Sequence, residues 1–166
     1  MKRKLIKAFC MAGGLALLIT MGTSNTSMAA DDREFSRGGR LEGAWNTQVS
    51  IIDCQSGNVI FTFANMPVFM AGGTIVESTS GTAPALRTQG EGVWRHTTGN
   101  NYAFRFKSFS FNDQNVFTGW TIVQADLSLD STGNAYTSSA TIEFYDANGV
   151  LLGTGCAESA GTRFEL

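Results

Sequence analysis

The stretch Leu41–Cys54, LEGAWNTQVSIIDC, constrains the fold more than any other part of the chain. Trp45, Thr47, Val49 and Ile51 fall on one side of an extended backbone, and a cysteine ends the run. Alternation at a period of two marks a strand with one buried face. A large aromatic at the start of such a strand can plug one end of a closed sheet. Cys54 has a plausible partner in Cys156, near the other end of the chain.

The first thirty residues read as a leader. Lys2, Arg3, Lys4 and Lys7 precede an uncharged apolar run over Ala8–Gly22, and Ser27-Met28-Ala29-Ala30 offers small residues for cleavage, the layout of an export signal. The apolar run is shorter than the roughly 20 residues a helical span needs, so no membrane span is expected once the leader is removed. Taking 30 residues from 166 leaves 136, enough for one domain with one core. Within that part, eight basic residues against fourteen acidic ones give a net charge of −6, and Lys107 is the one lysine. Such a surface argues against nucleic acid, whose binding rests on Lys and Arg contacts to phosphate. It also offers no attraction to an anionic membrane. For an exported chain, Cys54 and Cys156 read first as a disulfide. A loop that long stabilises by roughly 4–5 kcal/mol in the chain-entropy model. A periplasmic or secreted location follows as an expectation.

Asp31–Arg40 is charged and aperiodic, a flexible leader segment ahead of a domain over 41–166. The first strand is predicted over Gly43–Asp53. Val59–Met70 is apolar on both sides but holds Pro67, which places the regular part of the second strand after the proline or on an irregular edge. Thr74–Thr79 is the third strand, and Ser80–Glu91 a long loop of the kind that forms rims and lids. Further strands are predicted over Gly92–Thr98, Tyr102–Phe111, Thr118–Leu129, Ala135–Tyr145 and Val150–Ala157, with Thr162–Leu166 as a short additional one. Asn148-Gly149 is a preferred hairpin pair. No segment beyond residue 31 shows a helical period.

Eight strands joined by hairpins form an up-and-down meander, which closes or must protect two edges. A bond from the first strand to the eighth requires Cα atoms within about 7 Å. Closure makes those two strands neighbours, whereas a flat sheet sets them at opposite edges. The expected fold is therefore all-β: a single eight-stranded antiparallel up-and-down barrel closed by pairing of strands one and eight. A two-sheet sandwich is the alternative.

Gly43-Ala44-Trp45, followed by Phe69 and Gly72-Gly73-Thr74, resembles the pattern of lipocalin-like (calycin) β-barrels. Gly92-Val93-Trp94, Gly119-Trp120, Ile142–Asp146 and Thr154-Gly155-Cys156 look like exported bacterial proteins of the same layout. The resemblance implies a barrel open at one end, often holding a small apolar ligand, with Trp45 packed at the closed end. It also makes Arg163 the candidate for an arginine lying over that tryptophan. Lipocalins carry a helix near the C-terminus; Ala157–Leu166 shows none, which favours a looser relative such as the allene oxide cyclase-like barrels.

Catalytic signals are sparse. His96 is the one histidine, and the chain lacks zinc-protease, phosphate-loop and serine-hydrolase motifs. Neither a metal nor a cofactor is expected. Alternation sends Asp126 and Glu143 to solvent, while Glu77, beside Ile75 and Val76, is the candidate for a buried polar anchor, with Arg95 as counter-charge. Tyr102, Phe104, Phe106, Tyr136 and Phe144 would share the interior with Trp45 and Val49. A barrel of eight strands is just wide enough to be filled by side chains or to hold one small ligand. Large inward residues lean toward filling. The expected function is uptake of a small apolar ligand at the open end, with a cofactor-free cyclase or isomerase using Glu77, or a solid barrel serving structure or protein interaction, as the alternatives. Under a ligand reading Ser80–Glu91 is a flap over the open end, tipped by Ala85 and Leu86.

Peptide mapping without reductant should recover Cys54 and Cys156 in one linked pair. Free thiols at both would remove the argument for closure.

Overall fold

A computed structural model describes residues 40–166; the segments expected from sequence to be a signal peptide (1–30) and most of the flexible leader (31–39) lie outside the described residues. Eight strands follow one another: β1 (Gly43–Ile52), β2 (Val59–Met70), β3 (Thr74–Thr79), β4 (Gly90–Thr98), β5 (Asn101–Phe111), β6 (Phe117–Leu129), β7 (Ala135–Asp146) and β8 (Leu151–Arg163). Each pairs antiparallel with the next, and β1 pairs with β8, so the sheet is a closed barrel with no free edge. The β1–β8 ladder runs from Trp45 opposite Arg163 to Ile52 opposite Cys156. Cys54 and Cys156 are bonded, with Cα atoms 5.3 Å apart.

Closure makes the alternation continuous around the ring. Thr47 faces Asn65 across one ladder and Gly161 across the other, and Gly161 in turn faces Tyr136. Registers elsewhere link Glu77 to Gly90, Gly92 to Phe106, and Val123 to Ile142. A single set of side chains from eight strands therefore shares one interior.

Most strand ends fall within one or two residues of expectation, β4 starting at Gly90 rather than Gly92; two strands differ more, each for a local reason. β2 is continuous through Pro67, which pairs with Glu77 of β3. The β1–β2 pairing skips Trp45 and Asn46, the positions facing Pro67 and Met66, so the absent proline N–H falls where no ladder needs it. At the C-terminus Thr162–Leu166 is no separate strand. β8 instead runs to Arg163, because Ala157–Arg163 pairs with β1 on one side and with β7 over Ala157–Thr162 on the other.

One end of the barrel is packed solid. Leu41, Trp45, Phe69, Ile75, Tyr102 and Leu127 are all but inaccessible, and Trp94, Leu129 and Tyr136 close around them. The rings meet edge to face, Trp45 against Tyr136 at 5.0 Å between centroids and Phe69 against Trp94 at 6.0 Å. Trp45 Nε1 donates to the Leu41 carbonyl at 3.0 Å, and the Arg163 guanidinium lies 4.5 Å over its ring. Arg163 also donates to the carbonyls of Arg40, Glu42 and Gly133. Arg40, counted by sequence in the leader segment, is itself docked: it donates to Asn100 Oδ1 at 2.8 Å and to the Ser131 carbonyl at 3.0 Å. The β6–β7 turn at this end is held by Asp130, which accepts from the Thr132 hydroxyl and from the backbone of Gly133, Asn134 and Ala135; these bonds hold its pKa down at about 2.

Trp45→Ala should cost about 3–5 kcal/mol in denaturant melts, as full truncation of a buried tryptophan does. A change within measurement error would mean that Trp45 does not plug the barrel.

Candidate functional site

The other end of the barrel is hollow. A cavity of about 890 Å³ lies between the aromatic plug and the hairpins β1–β2, β3–β4, β5–β6 and β7–β8. Small residues make the room: Gly155, Ala140 and Ala157 stand on the walls of β7 and β8. At Gly155 an added Cβ would be in ordinary contact with the Phe144 ring, at 3.6 Å, and with Ile142, so the bare backbone there leaves the wall thinner without a clash to forbid a side chain. Apolar side chains line the upper part, among them Ile51, Phe61, Phe63, Val123 and Ile142.

Of the residues singled out from sequence, Val49, Glu77, Phe104, Phe106, Tyr136 and Phe144 line this cavity. Trp45 and Tyr102 are not on its wall; they sit in the plug below it. Phe144, expected to share an interior with Trp45, is high on β7 beside the mouth and 42% exposed. Thr47, which alternation already set on the inward side of the first strand, also lines the cavity, together with Asn65, Ser138 and Ser159, which were not anticipated. Their signal was available, since they share the inward phase of their strands, but small polar residues do not stand out against an aromatic set.

Glu77 is 1% exposed and points inward. Its counter-charge is Arg87 of the β3–β4 loop rather than Arg95. Arg95 is exposed on β4, one residue out of phase with Trp94, which faces the core. The loop delivers Arg87 inward because its second half is fastened. Arg87 bridges Ser110 of β5, Thr88 N–H donates to the Phe109 carbonyl at 3.0 Å, and Phe109 N–H donates to the Thr88 hydroxyl at 3.0 Å. Gly90 N–H adds a bond to the Glu77 carboxylate, and any side chain at Gly90 would collide with that carboxylate and with the Phe106 ring. Burial raises the Glu77 pKa, and Arg87 offsets part of the rise. The first half of the loop is a single 3-10 turn over Pro84–Leu86, with Gly81 laid against the Phe63 ring at the mouth. Ala85 is exposed, and neither Ala85 nor Leu86 reaches the cavity.

Lower in the cavity the Thr47 and Tyr136 hydroxyls bond each other at 2.6 Å, and Ser138 bonds Ser159 at 2.7 Å. Burial pushes the Tyr136 phenol up to about 12 despite its hydrogen bonds, so it stays a neutral hydroxyl. His96 lies outside this site; its Nε2 is 2.9 Å from the Gly99 carbonyl in the β4–β5 turn, and its ring packs edge-on to Tyr102. Among the described residues no three His, Cys, Asp or Glu side chains gather to hold a metal, and no helix is long and apolar enough to cross a membrane.

Neither a family model nor a curated protein matches the chain. The fold and the cavity are thus the observations on which a function can rest. The disulfide fits an oxidising compartment.

The raised pKa gives Glu77 a signed effect on stability. A carboxyl that holds its proton more tightly folded than unfolded favours the folded state at low pH, and that advantage is lost as pH rises. The window opens at the ordinary 4.5 and ends at the raised value. Thermal melts of Glu77→Gln against the parent should therefore show the parent gaining on the variant as pH falls through that window. Parallel curves would mean that Glu77 titrates normally.

Proposed function

We propose that the barrel takes up a small, predominantly apolar molecule through the end opposite Trp45. One observation carries this: a cavity of about 890 Å³, walled by Ile51, Phe63, Val123 and Ile142, inside an otherwise tightly packed barrel. Its size and lining are those of small-molecule sites. Folding removes apolar side chains from water to fill space. A hollow of this extent beside a solid aromatic plug is spent on something other than stability. Exposed apolar residues on the surrounding hairpins, Val59, Ile60, Val116, Leu151 and Leu152, leave the approach to the mouth poorly hydrated.

The layout supports grouping the chain with lipocalin-like barrels, or with their allene oxide cyclase-like relatives, and an export leader together with the disulfide supports a periplasmic or secreted protein. A second reading is favoured by Glu77. A buried carboxylate of raised pKa inside an apolar cavity is equipped to move a proton, as a cofactor-free cyclase or isomerase requires. Its ion pair with Arg87 gives it a structural occupation as well, which favours the binding reading over the catalytic one.

Phenylnaphthylamine, a neutral apolar fluorophore, should brighten on mixing with the oxidised protein. Gly155→Trp, which sets a large ring on the cavity wall beside Phe144 and Ile142, should abolish that signal while circular dichroism still shows the folded barrel. Equal uptake by the filled variant would sink the proposal. Replacing Thr82–Leu86 by a short Gly-Ser turn while keeping Arg87 should weaken uptake with little effect on thermal stability. Collapse of the fold would show that the first half of the loop belongs to the core.

A further inference from the structure

We propose that the open end of the barrel docks on a lipid bilayer of zwitterionic headgroups through the tips of the β1–β2, β5–β6 and β7–β8 hairpins. The proposal concerns the outside of the rim, so it goes beyond uptake into the cavity and can fail separately from it.

The three hairpins are built alike. Each turns at an Asp or Asn whose side-chain oxygen accepts from two backbone N–H groups of the turn. Asp53 accepts from Gln55 and Ser56, Asn112 from Gln114 and Val116, and Asp146 from Asn148 and Val150. The N–H of the same residue donates across the turn, to the carbonyls of Asn58, Val116 and Val150. A residue of positive φ closes each turn: Gly57, Asn115 and Gly149. The chain then returns through exposed apolar pairs, Val59-Ile60, Val116-Phe117 and Val150-Leu151. A tip whose N–H groups are satisfied by its own side chain loses little on leaving water. The motif thus carries apolar side chains to the rim on a backbone that tolerates an apolar phase.

Below the tips, the outer wall is ordered by depth. Phe109, Trp120 and Tyr145 stand in one cross-strand row on β5, β6 and β7. Trp120 stacks on Tyr145 at 5.4 Å and on Phe117 at 6.4 Å. Two residues further from the mouth, about 7 Å at the usual rise of a strand, the next row is Lys107, Ile122 and Glu143. Lys107 Nζ reaches over the Trp120 ring at 4.0 Å. Aliphatic tips, then Trp and Tyr, then a lysine with its stem along an aromatic is the order in which side chains meet hydrocarbon, headgroup and water. A protein partner imposes no such order. A second copy seated mouth to mouth would set the rim carboxylates Asp53, Asp113 and Asp146 against their equivalents. The same carboxylates repel anionic headgroups, and Arg87 is turned inward onto Glu77. The outermost choline of a zwitterionic lipid is a cation and suits them. Contact made by apolar tips is insensitive to salt.

The oxidised protein should co-sediment with sucrose-loaded phosphatidylcholine vesicles, equally at low and high salt and no better when phosphatidylglycerol is added. Brominated phosphatidylcholine should quench the parent's tryptophan emission but not that of Trp120→Phe, which keeps Trp45 and Trp94 in the plug. Val59→Ser, Val116→Ser and Leu152→Gln combined alter exposed residues outside the cavity lining. They should weaken partitioning about 10-fold or more, with phenylnaphthylamine uptake in the absence of vesicles unchanged. If the triple variant does not fold, quenching of the parent decides. Four results would overturn the proposal: no co-sedimentation, co-sedimentation that only phosphatidylglycerol supports, no quenching at Trp120, or equal partitioning by the triple variant. A parent that stays off vesicles but forms a dimer dispersed by the triple substitution would assign the rim to a second copy instead. All of these leave uptake standing, whereas failure of phenylnaphthylamine to bind the parent counts against uptake alone.

Discussion

Pairing of the first strand with the last is the constraint on which everything else depends. Without the ladder from Trp45–Arg163 to Ile52–Cys156 the meander would have two open edges and no inside. With it, a period-two pattern that means only "one face buried" in a flat sheet acquires a common axis, and residues from β1 to β8 converge on it. The ends of this ladder are reinforced differently. At the mouth a covalent bond joins Cys54 to Cys156; at the plug, Arg163 is held between the Trp45 ring and three carbonyls. The closure is therefore fastened where the interior is hollow by a bond that needs no packing, and where it is full by contacts that do.

The division of the interior into plug and hollow follows from where large and small residues fall on the inward phase. Tyr102, Trp94, Phe69 and Trp45 occupy the levels nearest the start of β1, whereas β8 contributes Gly153, Gly155 and Ala157 toward the other end. A glycine also makes the plug possible. Gly161 lies beneath the Tyr136 ring, where a Cβ would collide with it, and so lets the phenol cross to Thr47. One phenol thus belongs to both regions, its ring packed below and its hydroxyl presented above.

Much of this could be read from the chain because alternation in β5, β6 and β7 is clean. Tyr102, Phe104 and Phe106 turn inward and Arg105 and Lys107 outward, as their spacing requires. Closure was legible from two cysteines and a strand count. What could not be read depended on irregular backbone or on things that are small. Arg87 sits in a loop without period, so its inward aim comes from contacts with Ser110 and Phe109 that no local pattern encodes. Arg95 looked a better partner for Glu77 because it is on the next strand, yet its phase faces solvent. Pro67 argued against a strand that tolerates it through a lapse in one ladder, a property of the partner strand. The cavity itself is set by glycine and alanine positions, while the conspicuous phenylalanines suggested a filled lumen.

The bonds of Arg163 to Arg40 and Glu42, and of Phe164 N–H to the Ala44 carbonyl, bring both ends of the described chain together on the plugged side of the barrel. The barrel is thus polarised like a cup held by its base. Any sequence fused ahead of Arg40 or after Leu166 departs from the face remote from the mouth, so immobilisation through either end presents the same, unobstructed opening. The two ends could also be spliced to each other and the chain reopened at a hairpin on the rim, giving a permuted barrel in which the disulfide joins segments close in sequence instead of distant ones.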